Sequence, residues 1–163
     1  MMSKKVKAIF AGTFDPITNG HIDIIERASK MFDHLEVGLL INPNKQTLFS
    51  KDERMDLIRL STKHLDNVSV ISFDGLLIDY CKKNDISVLV RGVRTIADME
   101  YELQMAHMNR ELNDDLETII LPTSKVYSFI SSSLIKEVLH FDADVSNLVP
   151  KCVIEKIKCK NKL

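Results

Sequence analysis

Five short apolar segments, Val6–Phe10, Leu35–Ile41, Val68–Phe73, Ser87–Val90 and Glu117–Leu121, alternate strictly with stretches whose apolar residues recur at helical spacing. Each segment is rich in Val, Ile, Leu or Phe and reads as a buried strand. Helices are expected at about Ile22–Phe32, Lys51–His64, Leu76–Lys83 and Ile96–Glu111, then at Ser132–Phe141 and Lys151–Lys158. Strict alternation at these lengths argues for right-handed crossovers and an open parallel sheet covered by helices on both faces. The expected fold is therefore α/β and Rossmann-like, with a five-stranded parallel sheet. A chain of 163 residues with 45% hydrophobic content can bury one good core, and neither a linker nor a repeat interrupts it, so residues 1–163 are read as a single domain.

In such sheets ligands bind beyond the carboxyl ends of the strands, so the residues following each segment carry the functional information. The first segment runs into Gly12-Thr13-Phe14-Asp15-Pro16-Ile17-Thr18-Asn19-Gly20-His21, a turn that feeds directly into a helix. Backbone N–H groups at such a junction point at an anion, and the helix dipole adds to the attraction. The second segment is followed by Asn42-Pro43-Asn44-Lys45, the third by Asp74-Gly75-Leu76-Leu77, the fourth by Arg91-Gly92-Val93-Arg94 and the fifth by Pro122-Thr123-Ser124-Lys125. Beyond these, Tyr127-Ser128-Phe129-Ile130-Ser131-Ser132-Ser133 opens a helix with hydroxyls that can cap it or hold an anion. Together the loops predict one pocket rimmed by Lys and Arg. No Lys follows the glycines as in a Walker A loop, and the glycine spacing is not that of a dinucleotide fingerprint.

Thr18-Asn19-Gly20-His21 after GTFDP matches the T/H-x-G-H signature of nucleotidyltransferases. An imidazole at that point can hydrogen-bond the α-phosphate oxygens as charge builds in a five-coordinate transition state. The sequence leaves its protonation open, since a helix N-terminus disfavours imidazolium and phosphates favour it. Lys45 is placed to neutralise an incoming phosphate nucleophile. Arg91 and Arg94 suit bidentate phosphate binding, Arg91 on the acceptor and Arg94 on the ATP phosphates, with pairing to Asp98 or Glu100 as the plainer reading. Of Ser131, Ser132 and Ser133, one is expected only to cap its helix, while the cluster suits the β- and γ-phosphates. Met99, Leu103 and Ala106 read as core or subunit contact, and Glu102 and Asn109 face either solvent or the pocket.

Lys+Arg of 22 against Asp+Glu of 23 leaves a net charge of -1, so no global basic field exists for nucleic acid or an anionic membrane. Cys81, Cys152 and Cys159 lack CxxC spacing and fit reduced thiols in a cytosol, with Cys152 and Cys159 packing from one helical face. His34, His64, His107 and His140 form no metal-ligand spacing. The N-terminus leads into the first strand without a signal segment, no apolar run reaches membrane-spanning length, and a cytoplasmic protein is expected. The basic tail Lys156 to Lys162 is expected to fray.

Taken in order, GTFDPITNGH, NPNK, RGVRTIADMEYELQMAHMNR and YSFISSS resemble the bacterial phosphopantetheine adenylyltransferase family over nearly the whole chain. The resemblance implies transfer of an adenylyl group from ATP to 4′-phosphopantetheine, giving dephospho-coenzyme A and pyrophosphate by direct in-line displacement. By matching motif, Thr13, Lys45, Leu77, Arg91 and Asn109 would contact the pantetheine substrate. Thr13, Phe14, His21, Gly92, Val93, Arg94, Glu102 and Tyr127, Ser128, Phe129, Ile130, Ser131, Ser132 and Ser133 would form the ATP site, with His21, Lys45 and Arg91 in catalytic roles. It also implies a homohexamer and feedback by product or coenzyme A; Mg²⁺ is expected to accompany ATP, and as no carboxylate cluster here makes a convincing cage, phosphates and water are expected to hold it. Ala11 stands where the family usually has Pro, and Tyr127 where some members have Trp. The competing readings are a related transferase acting on nicotinate mononucleotide or glycerol phosphate, and a non-catalytic nucleotide-binding module.

Overall fold

The computed structural model describes residues 5–41 and 46–160. Five strands, β1 (Lys7–Gly12), β2 (His34–Leu40), β3 (Val68–Phe73), β4 (Val88–Val93) and β5 (Glu117–Pro122), form one parallel sheet in the order β3-β2-β1-β4-β5. The crossovers are α1 (Asn19–Ser29), α2 (Lys51–Thr62), α3 (Leu77–Lys83) and α4 (Ile96–Leu112). A 3₁₀ turn (Lys125–Tyr127) and helices α5 (Ser132–Leu139) and α6 (Lys151–Lys160) follow. The chain builds outward from β1 to β3, then returns to lay β4 on the other side of β1. The switch point between β1 and β4 opens the crevice where such sheets bind ligands. No helix of the described residues is long and apolar enough to cross a membrane.

Local chemistry sets where the helices start. Thr18 and Ser50 each make a reciprocal capping box, with His21 and Glu53 as the respective third helical residues, while Thr95 and Ser131 cap α4 and α5 through their hydroxyls. Such caps stabilise a helix end by about 1 kcal/mol each. Lys156 and Lys160 lie 3.2 and 3.1 Å from the Glu53 carboxylate, so α6 closes over the start of α2. Of the basic tail, Lys156 to Lys160 belong to α6, with Glu53 as a common partner for Lys156 and Lys160, while Asn161 and Lys162 lie outside the described residues.

Two apolar layers sandwich the sheet unequally. On one face Phe10, Leu35, Val37, Leu39 and Val90 pack against Ile24, Ile25 and Ala28 of α1, Met55 and Ile58 of α2, Ile135 of α5 and Val153 of α6. On the other, Ile9, Ala11, Phe73 and Leu89 meet Ile78 and Cys81 of α3, together with Ile86 and Leu116. Helix α4 adds little to that second layer. Its buried residues are Glu102 and Asn109, while Ile96, Tyr101, Leu103, Met105 and Met108 are exposed. Leu103 is therefore not core; the fully buried positions of α4 are the polar Glu102 and Asn109, with Met99 and Ala106 half-buried on the same face, and Glu102 reaches Arg91. Cys152 packs half-buried beside Ser61, whereas Cys159 is exposed and not the apolar packer expected.

Element boundaries shift at the points that matter most for the site. Gly12 ends β1, and Arg91, Gly92 and Val93 belong to β4, where Gly92 and Val93 pair with Leu121 and Pro122 of β5. Those residues read as loop in the sequence because glycine and charge interrupt the apolar run. The ladder continues through them nonetheless, which fixes their direction more firmly than a loop could.

Candidate active site

A cavity of about 280 Å³ lies at the carboxyl ends of β1 and β4. Its walls come from Phe10 to Gly12 and Phe14 on the β1 side, and from Thr18, Gly20, His21 and Ile24 at the start of α1. Arg91, Gly92, Arg94, Asp98 and Glu102 close it from β4 and α4, and Thr123, Ile130, Ser131 and Ser132 from beyond β5. Two glycines keep the crevice open. A Cβ on Gly92 would stand 3.1 Å from Ile24 Cγ1, and one on Gly12 would stand 3.2 Å from the Phe14 ring, so a side chain at either position crowds a wall.

His21 sits in the first turn of α1 with its ring wedged against Phe14, in an edge-on arrangement with centroids 5.1 Å apart. The Thr18 backbone N–H donates to its Nδ1 at 3.0 Å. That nitrogen is therefore unprotonated, and the ring proton sits on Nε2. Burial, reinforced by the positive charge of Arg94, lowers the His21 pKa from 6.5 to about 4. Burial and Arg94 thus favour a neutral imidazole, and the capping box sets its orientation.

The opposite wall is charged. Arg91 Nε and Nη2 both donate to the Glu102 carboxylate at 2.7 Å, and Nη1 donates to the Ala11 carbonyl at 2.9 Å. Arg91 is thereby locked against β1 with its guanidinium bordering the cavity. Arg94 donates from Nε to Asp98 at 3.0 Å and from Nη1 to the Ile130 carbonyl at 3.1 Å, tying α4 to the segment before α5. Burial opposes ionisation of Asp98, but the hydrogen bonds from Arg94 outweigh it and hold the carboxyl below its usual range. The pairing with Asp98 considered from sequence is present for Arg94, whereas Arg91 takes Glu102 rather than Glu100.

Ser131 caps α5 by accepting from Leu134 N–H at 3.0 Å, and Ser132 donates to the Pro16 carbonyl at 2.8 Å. The N-terminus of α5 is thus fastened across the GTFDP turn and presents its partial positive charge to the cavity wall. Neutral imidazole, two guanidinium groups and a helix N-terminus surround a space suited to a polyphosphate.

The sequence pattern of the cytidylyltransferase-like family matches residues 9–138. The chain is 51% identical over 150 residues to the phosphopantetheine adenylyltransferase of Clostridium novyi (strain NT), covering 92% of this chain and 93% of that protein. The chain belongs to the phosphopantetheine adenylyltransferase family. Solved structures carry the same fold at low identity. A Vibrio parahaemolyticus protein described as a nicotinate-nucleotide adenylyltransferase superposes with TM-score 0.68 at 22% identity, over 93% of this chain and 91% of its own. A lipopolysaccharide core biosynthesis protein of Thermoplasma volcanium GSS1 does so with TM-score 0.54 at 20% identity, over 75% of this chain and 98% of its own.

For this phosphopantetheine adenylyltransferase family member, the cavity gathers Phe14, His21, Arg91, Gly92, Arg94, Glu102, Ile130, Ser131 and Ser132 of the residues expected from sequence. Thr13 stands at its edge, with its carbonyl held by Arg54 Nη1 at 2.9 Å. Leu77 opens α3 beyond the β3 side and packs on the second apolar layer, and Asn109 is buried two turns beyond Glu102; neither lines the cavity. Val93 is buried, Tyr127 packs on the first apolar layer, and Phe129 and Ser133 are exposed. The Ser128 hydroxyl donates to the Lys125 carbonyl. Lys45, with Asn42 to Asn44, lies outside the described residues. Among described residues the cavity rim carries arginine and no lysine.

Sequence reasoning passed over Asp15, Arg54 and Lys136. Asp15 and Arg54 are almost fully buried, at 2% and 5% exposure, which is rare for charged residues and has no signature in a single sequence.

Proposed function

We propose that this protein transfers the adenylyl group of ATP to the phosphate of 4′-phosphopantetheine, giving dephospho-coenzyme A and pyrophosphate. The observation that carries the reading is the convergence of His21, Arg91, Arg94 and the α5 N-terminus on one cavity, in a chain half identical to a phosphopantetheine adenylyltransferase. An acceptor phosphate oxygen attacks the α-phosphorus in line, the bond to the bridging oxygen breaks, and pyrophosphate leaves. His21 donates through Nε2 to an α-phosphate oxygen as that oxygen gains charge, a contact stronger in the transition state than before it. Arg94 and the N-terminus of α5 hold the departing phosphates. Arg91 and Lys45 hold the acceptor phosphate, with Thr13, Leu77 and Asn109 toward the pantetheine arm.

Mg²⁺ accompanies ATP in this reading and supplies charge neutralisation on its phosphates. Among described residues no cluster of three or more His, Cys, Asp or Glu is placed to hold a metal, and Asp98 and Glu102 are engaged by arginines, so phosphate oxygens and water would be its ligands. The exposed apolar side chains of α4 support self-association, read here as a homohexamer in the cytoplasm, with coenzyme A as a feedback ligand. The test is pyrophosphate release from ATP and magnesium with and without 4′-phosphopantetheine, with dephospho-coenzyme A identified by mass. Release dependent on phosphopantetheine is expected. Turnover with nicotinate mononucleotide or glycerol phosphate instead would replace the acceptor, and silence with all would indicate a binding module.

A further inference from the structure

Asp15 lies in the turn between β1 and α1 with 2% of its surface exposed. One carboxylate oxygen accepts from Phe49 N–H at 3.0 Å, and the other accepts from Leu48 N–H at 2.9 Å and from Lys136 Nζ at 3.0 Å. Two separate parts of the molecule thus meet on one side chain. Leu48 and Phe49 lead into α2 and follow Lys45 by three and four residues, while Lys136 belongs to α5, the helix whose N-terminus borders the cavity. A second brace runs the opposite way: Arg54 of α2 is buried at 5% exposure and donates to the carbonyl of Thr13, two residues before Asp15. The two contacts fasten the turn that carries Thr13 and Phe14 to the start of α2 in both directions.

We propose that Asp15 is a positioning residue for the acceptor, holding the segment that follows Lys45 against the GTFDP turn, and that Lys136 keeps the Asp15 carboxylate in place for that role. The inference rests on the adenylyl-transfer reading for its kinetic consequence and on geometry alone for the brace. Charge explains the choice of residue. A carboxylate can accept from two backbone N–H groups and an ammonium at once, whereas an amide of the same shape has a single acceptor oxygen and must turn its own N–H donors toward at least one of these donors. Lys136 is 35% exposed, so it is removable with less damage to the core than Asp15.

The variants are Asp15→Asn, Lys136→Met and Lys136→Arg, compared with wild type in steady-state kinetics for both substrates and in amide hydrogen exchange. The expected result is a tenfold or greater rise in KM for phosphopantetheine in Asp15→Asn, a smaller rise in Lys136→Met, and recovery in Lys136→Arg, with KM for ATP within threefold throughout. Exchange at the Leu48 and Phe49 amides should quicken at least tenfold in Asp15→Asn while amides of β1 and β4 stay protected. An equal rise in both KM values, or faster exchange with an unchanged acceptor KM, overturns the positioning role. Unchanged exchange at both amides overturns the brace itself. Because exchange is read without turnover, a wild type inactive with phosphopantetheine would condemn the functional reading while the brace is still judged. Lys136→Met carries the kinetic comparison if Asp15→Asn does not fold.

Discussion

The shoulder of the cavity built by β1 and α1 offers an uncharged donor fixed by backbone contacts, whereas the shoulder built by β4 and α4 offers guanidinium groups already paired with carboxylates. His21 is oriented by a backbone N–H that any residue but proline would supply at position 18, and burial and Arg94 favour its neutral form. Arg91 and Arg94 are held by Glu102 and Asp98, so an arriving phosphate shares those cations with partners that hold them between turnovers. On the proposed adenylyl-transfer reading, the neutral shoulder serves a contact that strengthens during reaction and the charged shoulder serves binding. Even within the charged shoulder the two pairs differ, since the Arg91 and Glu102 side chains are 28% and 9% exposed against 34% and 27% for Arg94 and Asp98.

The largest expected effect breaks the neutral shoulder. His21→Ala should lower kcat by about 10²–10³, the cost typical of removing one oxyanion donor. ATP affinity measured by calorimetry should change far less. Equal losses in kcat and in ATP affinity would make His21 a ground-state binder and erase the distinction between the shoulders.

How much of this was legible in the sequence divides along the same line. The five strands and the position of His21 were readable because apolar runs, glycines and helix caps are local signals. That its neutral form is favoured was not, since this depends on burial against Phe14 and on Arg94, 73 residues away in the chain. On the charged shoulder the arginines were readable and their partners only in part. Glu102 left its direction open because α4 fully buries only the polar Glu102 and Asn109 while Tyr101, Leu103, Met105 and Met108 are exposed, so apolar spacing did not mark its inward face. Asp15 belongs to the same class: a buried carboxylate whose partners at 48, 49 and 136 are brought together only by tertiary structure.

Within the charged shoulder, Glu102→Gln keeps the shape of the side chain and removes its charge. With Glu102 nearly buried and Arg91 fixed to two of its oxygens, the substitution should cost about 1–3 kcal/mol in urea unfolding. It should also raise the acceptor KM, because Arg91 loses one of the two acceptors that direct its fork. A variant as stable as wild type with unchanged acceptor kinetics would mean that neither the charge of Glu102 nor its second acceptor oxygen directs Arg91.

A smaller effect tests the neutral shoulder through pH. His21 titrates near 4 in the folded protein against 6.5 when unperturbed, so between those values the unfolded chain binds the extra proton. Stability contributed by the neutral ring is therefore complete above about pH 6.5 and is lost as pH falls toward 4. Between pH 7 and 5 the loss should be about 1–2 kcal/mol beyond that of His21→Gln, whose side chain can still reach back to the Thr18 N–H as in an ordinary capping box. Parallel pH slopes in the two proteins would show that His21 is not held neutral by the fold.

The smallest effect falls on the outer pair. Asp98→Asn should cost less than about 1 kcal/mol, because the pair is partly exposed, spaced four residues apart and screened by solvent. The Arg94 side chain keeps the Ile130 carbonyl as an anchor, so its ATP contact should weaken only a few-fold. What distinguishes it from Glu102→Gln is salt: the stability difference between Asp98→Asn and wild type should shrink as ionic strength rises, while the Glu102→Gln difference should persist. If both differences respond to salt alike, the inner pair is no better shielded than the outer, and the charged shoulder is a single solvated cluster rather than a buried clamp with an exposed neighbour.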